Sequence, residues 1–431
     1  MRPAVRGGVA IAVVAIGYTG SVAVGRVFAR HGINLRLGTA VPLSGHLDVR
    51  LSLRTLLPLG AGLLLLALLP AAADRLGWRR LLGAAVVASA GWAVSLALVD
   101  GPAALGRPIA TRAEYLADVG RVHGLHAFLA GFADHVTIGS PGFAWVTHVS
   151  GHPPGALLTF VALDRLGLGG PGWAAALCIG AGASAAAAGL IALRAVAGEP
   201  AARRATPFLA AAPTAVWIAT SADAWFLGVS AWGIALLALA AGRRDLRGDL
   251  LAAGAGLLLG LTIFLSYGLV LLAPIAIGVI ALRRRVRPLV LAAVGAGAVV
   301  AVFAGLGFWW VDGLMRTRIR YQQGSASGRP YAYFLLANLA VLGLVIGPAG
   351  VAAIARLRRG AAALLPLLAL AGIVLADLSG LSKSEVERIW LPFTPWLLAA
   401  TAVLPAGGRR WWLAAQLGVG LAVQTLVFTN W

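Results

Sequence analysis

The chain alternates between long apolar runs and shorter polar segments over most of its length. Runs of about 17–25 mostly apolar residues recur along the sequence, and a helix of about 20 such residues crosses the hydrocarbon core of a bilayer. The apolar residues form continuous runs instead of alternating with polar ones, which excludes a transmembrane β-barrel. The pattern therefore predicts an all-α polytopic membrane protein.

The apolar runs predict about thirteen transmembrane helices. One further run, 155–166, is shorter and ends in Asp164-Arg165, and a crossing there would move every later arginine cluster to the other side of the membrane. It is therefore predicted to be a juxtamembrane or re-entrant helix. The predicted spans are 8–25, 55–73, 81–99, 172–193, 207–220, 225–241, 250–266, 268–282, 288–310, 331–354, 361–376, 389–404 and a last span within 405–431.

Arginines cluster in every second loop between the predicted spans. Because basic loops stay on the cytoplasmic side, the clusters predict a cytoplasmic N-terminus. Lys383 is the single lysine, and alanine and glycine are abundant, a composition that we interpret as that of a high-GC bacterium. The predicted location is therefore a bacterial cell (inner or plasma) membrane, with membrane lipids as partners.

The composition narrows the possible functions. Only 12% of the 431 residues are charged, whereas a soluble domain carries about a quarter. The formal net charge of +20 would suggest nucleic acid in a soluble protein, but here it follows from the loop arginines, so no nucleic-acid partner is expected. Cys178 is the single cysteine, which excludes a disulfide framework. The absence of a glycine-rich phosphate loop excludes an ATP-driven pump.

Polar residues that could carry chemistry fall mainly in three loops on the predicted outer side, 100–154, 311–330 and 377–388. Asp100 ends a predicted span, where a carboxylate is suited to deprotonate a hydroxyl group. A plain turn is the alternative, since Asp-Gly-Pro favours turns. Asp48, between the first two spans, is a second candidate base.

The first of these loops also predicts two short amphipathic helices over 112–136, because apolar residues recur there at spacings of three and four. Such helices lie along a membrane surface and can cover a cavity. A metal site is a less favoured alternative, because His and Asp at such spacings are common by chance, and no metal is expected. Its ligands would be His123, His126, Asp134 and His135.

Three further positions carry candidate chemistry. His152 precedes two prolines, which fix the backbone and hold the imidazole at the interface. Arginines at 316–320 and 329 lie on the outer side, against the positive-inside bias, and arginine forks match phosphate oxygens well. Contact with lipid headgroups, or a salt bridge to Glu385 or Glu387, is the alternative. The segment 383–388 packs four charged residues directly before a predicted span.

Asp100, segment 112–136, His152-Pro153-Pro154, Asp223 and the late arginines make the chain resemble the GT-C glycosyltransferases, polytopic enzymes that use polyprenyl-phosphate sugars. It is most similar to protein mannosyltransferases, lipid A aminoarabinose transferases, and actinobacterial cell-wall arabinosyl- and mannosyltransferases. The resemblance covers about residues 81–400 and lies in the arrangement of spans and loops more than in the identity of individual residues.

The resemblance implies an inverting glycosyltransferase that moves an arabinofuranose- or mannose-type sugar from a polyprenyl-phosphate donor to a cell-envelope glycan or lipid acceptor. It implies that Asp100 is the catalytic base and that His152 orients the reactants. No cofactor is required, although a divalent metal is compatible. The implied ligands of the donor phosphate are Arg316, Arg318, Arg320, Arg329 and Arg388. The implied substrate-pocket residues are Glu114, Tyr115, Asp223, Tyr321, Lys383 and Glu385.

The chain departs from the family pattern in two respects. Two predicted spans precede the one that carries Asp100, and Gly101 stands where the family has a second acidic residue. We therefore divide the chain into an N-terminal two-helix extension (1–80), a GT-C-like transmembrane core (81–404) and a C-terminal transmembrane helix (405–431).

Two other functions stay open at this stage. A transporter or flippase of a lipid-linked glycan would share the topology, although charged residues within the spans are scarce and no two-fold repeat is visible. A non-catalytic assembly subunit would retain the loops but bind no donor.

Overall fold

The computed structural model describes residues 3–429, and most of them are helical. Residues 1–2 and 430–431, the outermost positions of the two predicted terminal regions, lie outside the described residues. The α-helices are α1 Pro3–Arg30, α2 Leu56–Arg75, α3 Trp78–Ala97, α4 Leu125–Gly131, α5 Thr147–Gly151, α6 Pro154–Arg165, α7 Pro171–Ala197, α8 Glu199–Ala210, α9 Ala215–Ile218, α10 Ala222–Ala241, α11 Leu246–Leu265, α12 Ala273–Arg283, α13 Val286–Gly305, α14 Trp310–Gln323, α15 Tyr331–Ile354, α16 Ala361–Leu378, α17 Val386–Ile389, α18 Thr394–Leu398 and α19 Arg409–Leu426.

Short 3₁₀ helices and one small sheet complete the described structure. Strand β1, His46–Leu47, pairs antiparallel with β2, Val427–Phe428, so the loop after α1 is joined to the end of α19. The 3₁₀ helices are Leu53–Thr55, Leu98–Asp100, Pro102–Leu105, Pro108–Ala110, Tyr115–Arg121, Ala133–His135, Tyr267–Leu272, Leu391–Phe393, Ala399–Val403 and Ala406–Gly408.

The prediction of an all-α, multi-pass membrane protein is confirmed at this level. Between residues 3 and 429, nine helices are long and apolar enough to cross a membrane, or ten if the bent pair Val386–Val403 and Ala406–Leu426 is one span. The count of about thirteen is not confirmed. The nine are Val5–Arg30, Leu53–Arg75, Trp78–Asp100, Pro171–Ala197, Ala222–Ala241, Leu246–Leu265, Val286–Gly305, Tyr331–Ile354 and Ala361–Leu378.

The remaining predicted spans fall on interrupted helices. Span 207–220 is split between α8 and α9, because Pro213 lacks a backbone N–H and disfavours helix at the residue before it. Span 268–282 is a 3₁₀ turn followed by the 11 residues of α12. The last two predicted spans are short helices and α19, which meet at a bend of 115°.

Segment 311–330 was expected to be a loop, but much of it is helix α14, Trp310–Gln323. The 112–136 segment contains the 3₁₀ helix Tyr115–Arg121 and α4, and run 155–166 forms α6. How these short helices lie relative to a membrane stays a prediction.

Small residues allow α11 and α13 to pack closely against each other. Gly256 of α11 lies against the backbone of Ala292 of α13, and Gly260 lies against Ala296 one turn further on. A Cβ at either glycine would overlap the facing helix. This use of small residues is typical of helix packing in membranes, where lipid is as apolar as the side chains.

A kink in α15 is stabilised by a side chain from α19. Gly347 has φ of +69° and Pro348 follows it, so the helix is interrupted there. Gln416 is fully buried; its Nε2 donates to the Ile346 carbonyl at 2.9 Å, and its Oε1 accepts from the Ala349 N–H at 3.2 Å. The side chain thereby satisfies backbone groups that a kinked helix leaves free.

The two ends of the bundle differ in character. At the end where α10 finishes, arginines bind carbonyls at helix ends: Arg203 donates to Ala73 (2.9 Å) and Leu76 (3.0 Å), and Arg204 donates to Ala402 (2.7 Å). Such contacts satisfy the last carbonyls of helices. At the end where α10 begins, the three polar loops and the loop after α1 come together.

Candidate functional site

Five charged or polar side chains from three parts of the chain meet at the beginning of α10. Arg388 Nη1 donates to Asp223 Oδ2 at 2.8 Å, and both side chains are only 6% exposed. Arg388 Nη2 donates to Glu385 Oε2 at 2.6 Å and to His148 Nε2 at 2.9 Å. His148 Nδ1 lies 3.0 Å from Glu114 Oε1. These residues, Glu114, His148, Asp223, Glu385 and Arg388, are termed the Arg388 cluster.

Local backbone structure presents Asp223 to this cluster. Ser221 has extended backbone angles and is followed by α10, so Asp223 lies in the first helical turn. A carboxylate there is stabilised by the free N–H groups and the positive end of the helix dipole. The favourable position helps to keep a charged group buried at the edge of an apolar helix.

Glu385 and Arg388 are held by an unusual turn. Ser384 and Glu385 have φ of +91° and +62°, a region that non-glycine residues rarely adopt. The buried Asn338 side chain fixes this turn, since its Nδ2 donates to Asp377 Oδ1 (2.8 Å) and to the Ser382 carbonyl, and its Oδ1 accepts from the Ser384 N–H. Asn338 therefore orients the turn from which the cluster's arginine extends.

Hydrogen bonds define the tautomer of His148. Since Nε2 accepts from Arg388, the proton lies on Nδ1, which is 3.0 Å from both the Ala113 carbonyl and Glu114 Oε1. Burial and the neighbouring Arg388 charge hold the pKa of His148 well below its usual value. Burial raises the pKa of Glu114 to about 7, against the opposing effect of Arg388. The cluster thus combines a neutral imidazole with a carboxyl group that titrates near neutrality.

His152 lies beside the cluster with one ring nitrogen available. Its Nδ1 donates to the His148 carbonyl at 2.8 Å, so Nε2 carries the lone pair. Among residues 5–429, no hydrogen bond engages Nε2. Burial lowers the pKa of His152, with the Asp223 charge opposing that effect. Tyr115 and Phe226 contact the ring at centroid distances of 5.7 and 5.5 Å. The imidazole is therefore a neutral base held in one orientation.

Tyr115 forms the apolar floor of this region. It is fully buried, stacks on Phe160 at 5.3 Å and approaches His148 at 6.3 Å. Beyond Phe160 lies a cavity of about 270 Å³, lined largely by apolar residues of 3₁₀ helix Tyr115–Arg121, α6 and α7. The site is therefore flanked by an apolar space that could hold a hydrocarbon chain.

Asp100, predicted to be the base, lies outside the Arg388 cluster. Its Oδ2 accepts from the Arg50 guanidinium and, at 3.0 Å, from Gln424 Nε2 of α19. Arg50 also donates to the carbonyls of Gln424 and Val427. Asp100 therefore joins three segments of the chain. Asp48, the other candidate, is exposed.

Helix α14 brings its arginines to the edge of the site. Arg320 Nε donates to Ser150 Oγ at 3.2 Å, and Thr317 Oγ1 donates to the Ser150 carbonyl at 3.0 Å. Ser150 belongs to α5, which also carries His148. Arg316 makes only distant pairs with carboxylates, at 3.7 and 3.9 Å, and Arg318 is exposed. Two guanidinium groups thus remain accessible at this edge.

Arg329, also predicted to bind phosphate, instead donates hydrogen bonds to backbone carbonyls. Its three donor groups bind the carbonyls of Leu35 (3.0 Å), Arg36 (3.0 Å) and Lys383 (2.6 Å). Lys383 in turn donates to the Ser327 carbonyl at 2.9 Å. These contacts join the loop after α1 to the 379–385 turn and favour a structural role for both residues. Tyr321, predicted in the pocket, donates to Gly380 in the same turn.

Glu387 was not included among the predicted site residues. It is fully buried, and its Oε1 accepts from the Ser44 N–H at 3.2 Å. Its Oε2 is buried without a hydrogen-bond partner in the part of the chain that the structure describes. In the sequence, Glu387 is a second carboxylate shortly before an apolar run. It was interpreted only as an alternative salt-bridge partner of the outer arginines.

Within residues 3–429, no three or more His, Cys, Asp or Glu side chains are placed to hold a metal ion together. The alternative set at 123–135 is therefore not assembled. His135 instead stacks on Phe143 at 4.0 Å and contacts its carbonyl through Nδ1.

A scan of protein-family models found no family that matches this chain, and a search of curated proteins found no matching protein. A proposal for the function therefore depends on the residues of the site.

Proposed function

We propose that the protein is an inverting glycosyltransferase that moves an arabinofuranose- or mannose-type sugar from a polyprenyl-phosphate donor to a cell-envelope glycan or lipid acceptor. The observation that carries this proposal is that acid–base side chains and arginines lie close together at one end of a membrane bundle. A buried cluster of carboxylates and neutral imidazoles lies beside α14, on which Arg320 contacts Ser150 and Arg316 and Arg318 remain accessible. Acid–base groups next to phosphate-binding groups are what glycosyl transfer from a lipid phosphate requires.

In the proposed reaction, the acceptor hydroxyl oxygen attacks the anomeric carbon from the face opposite the phosphate. The new carbon–oxygen bond forms as the bond to the phosphate oxygen breaks, and the base takes the hydroxyl proton. Polyprenyl phosphate leaves with the bonding electron pair. Negative charge grows on that phosphate in the transition state, where positive groups placed in advance stabilise it.

We assign the phosphate to Arg316, Arg318 and Arg320 on α14. Arg388 donates to Asp223, Glu385 and His148, so its role in the proposal is to orient the cluster. The apolar cavity beyond Phe160 offers space for part of a prenyl chain.

Two residues compete for the role of base. Asp100 is the base that the family resemblance implies, and it is held by Arg50 and Gln424. His152 has a free Nε2 beside the cluster, and Arg320 binds Ser150, two residues earlier in the chain. The geometry favours His152, and it leaves Asp100 a structural role.

We further propose that this end of the bundle faces outward from a bacterial plasma membrane, with the N-terminus in the cytoplasm. The support is the concentration of arginines at the other end, since basic loops stay cytoplasmic. At the outer face a lipid-linked donor is required, because nucleotide sugars are cytoplasmic. The proposal requires no cofactor.

The test is turnover by the purified protein in liposomes with synthetic polyprenyl-phosphate arabinofuranose or mannose and a membrane extract as the source of acceptor. Release of polyprenyl phosphate with loss of the sugar is expected. Movement of intact donor across the bilayer without such release would instead indicate a flippase.

Replacement of arginines on α14 tests the phosphate site. Arg318→Ala and Arg320→Ala are each expected to weaken donor binding about ten-fold or more, because a charge-assisted contact contributes roughly 1.5–3 kcal/mol. Arg112→Ala is the matched control, since Arg112 is an exposed arginine of the same end but lies outside α14. Unchanged donor affinity in Arg316, Arg318 and Arg320 variants alike would show that α14 contacts only lipid headgroups.

A further inference from the structure

A second cavity lies at the opposite end of the bundle from the Arg388 cluster. It has a volume of about 360 Å³, within the usual range for small-ligand sites. One wall is the last turns of α2, and the other is the turn before α19 with the first turn of that helix. Its lining residues are Pro70, Ala71, Asp74, Arg75, Ala406, Gly407, Arg409, Arg410 and Trp411.

The charges of this cavity are unbalanced. It holds three arginines and one aspartate, a formal excess of two positive charges. Asp74 accepts from both Nη atoms of Arg409, 2.9 Å from Nη1. Among the described side chains, none forms a hydrogen bond or ion pair with Arg75 or Arg410, and both are exposed. The guanidinium groups of Arg75 and Arg410 are thus available in a cavity whose third arginine, Arg409, is paired with Asp74.

The cavity also lies where lipid headgroups would be. Helix α2, which ends at Arg75, is long and apolar enough to cross a membrane, and so is the bent pair that includes α19. Trp411 is 82% exposed, and exposed tryptophan is enriched at membrane–water interfaces. Gly407 lines the cavity, and a Cβ there would meet no heavy atom within 4 Å, so a side chain at this position has space.

We infer that this cavity binds the phosphate ester of an anionic phospholipid headgroup, with Arg75 and Arg410 as its ligands. Planar guanidinium groups match phosphate oxygens in pairs, and basic pockets between membrane helices bind such headgroups. Binding there would join α2 to the bend before α19. The inference is independent of the proposed glycosyl transfer, because no residue is shared.

The test uses the full-length protein in a neutral detergent, titrated with phosphatidylglycerol or with phosphatidylcholine of equal chain length, with retained lipid measured by native mass spectrometry. Phosphatidylglycerol is expected to be retained, and the double variant Arg75→Gln/Arg410→Gln is expected to bind it about 100-fold more weakly, roughly ten-fold for each lost contact. The control Arg79→Gln/Arg80→Gln removes the same charge from exposed positions at the start of α3, outside the cavity, and is expected to bind normally.

A second variant distinguishes the effect of filling the cavity from the effect of removing its positive charge. Gly407→Trp fills the cavity without changing the net charge and is expected to abolish retention. Equal losses in both double variants, equal retention of phosphatidylcholine, or full binding by Gly407→Trp would each overturn the site. Displacement of the lipid by glycerol phosphate at equal concentration would overturn the assignment to a lipid and indicate a soluble phosphate ester.

Discussion

At the scale of single residues, the site depends on how burial sets the protonation of neighbouring groups. His148 and His152 stay neutral because both rings are desolvated and lie near the Arg388 guanidinium. An imidazole that stays neutral below its ordinary pKa remains able to accept a proton. The environment of His152 is therefore suited to a base, and this suggests a direct comparison with Asp100.

His152→Asn keeps an amide that can donate to the His148 carbonyl but removes the Nε2 base. If His152 is the base, the variant should fold, bind donor and lose about 10²–10⁴ in transfer rate, while Asp100→Asn should retain most activity. Because burial lowers the pKa of His152, wild-type kcat/KM should fall with acid only below pH 6.5. The measurement is donor turnover from pH 5 to 8. An inactive Asp100→Asn beside an active His152→Asn would restore Asp100 as the base.

Glu114 makes stability depend on pH in a defined direction. Its carboxyl stays protonated in the folded chain up to about pH 7 but ionises near 4.5 when exposed. The folded state thus binds more protons between these values, so this contribution to stability falls as pH rises from 4.5 to 7. Relative to Glu114→Gln, the wild type should lose on the order of 3 kcal/mol across that window.

Thermal midpoints of both proteins, measured at one heating rate from pH 5 to 8, check this expectation. The two buried histidines act in the opposite sense below pH 6.5, but they are present in both proteins and cancel in the difference. A difference in midpoint that does not vary with pH would contradict the raised pKa of Glu114.

At the scale of elements, the interruptions of the helices matter as much as the helices themselves. Pro348 kinks α15, and α19 supplies the compensating groups through Gln416. Gln416→Leu leaves the Ile346 carbonyl and the Ala349 N–H unpaired in an apolar region, each at a cost of about 1–3 kcal/mol. We expect a clearly lower thermal midpoint in detergent. Val419→Met, half-buried on the same helix, is the control, and equal midpoints for the two variants would show that the kink needs no such support.

Element boundaries were predictable from the sequence only where one helix is uninterrupted. Spans such as 172–193 and 225–241 lie within α7 and α10, because apolar length alone specifies them. The prediction of one continuous span over 207–220 was wrong, because Pro213 interrupts the helix although the residues around it are apolar. Helix α14 was not predicted, because a segment with this many charged residues resembles a loop in the sequence. Its contacts with Ser150 of α5 are visible only in the structure.

At the scale of the whole molecule, the pairings that build the site were not visible in the sequence. Glu385 and Asp223 were expected in one pocket, and the structure brings them together. The arginine between them was assigned to phosphate, since nothing local indicates that Arg388 meets Asp223 across 165 residues. Asp100 was likewise judged by its position at a helix end, whereas its partners Arg50 and Gln424 come from distant segments.

The orientation of the molecule is open to a direct test. In a Cys178→Ala background, Ser325→Cys and Arg244→Cys each place one exposed thiol at opposite ends of the bundle. An impermeant maleimide applied to intact cells should label Ser325→Cys and leave Arg244→Cys unlabelled until lysis. The reverse pattern would put the Arg388 cluster in the cytoplasm and remove the need for a lipid-linked donor.

The pairing of Asp223 with Arg388 also has a consequence for synthesis of the chain. The 165 residues between them take a ribosome roughly 8–33 s at about 5–20 residues per second. During that interval α10 is already made, while the guanidinium that neutralises its aspartate does not yet exist. An unpaired carboxylate is costly at a bilayer, so the nascent chain carries between these two residues a cost that the finished chain does not. Products that terminate before residue 388 retain that unpaired charge, and membrane proteases should remove them faster than chains that end just after it.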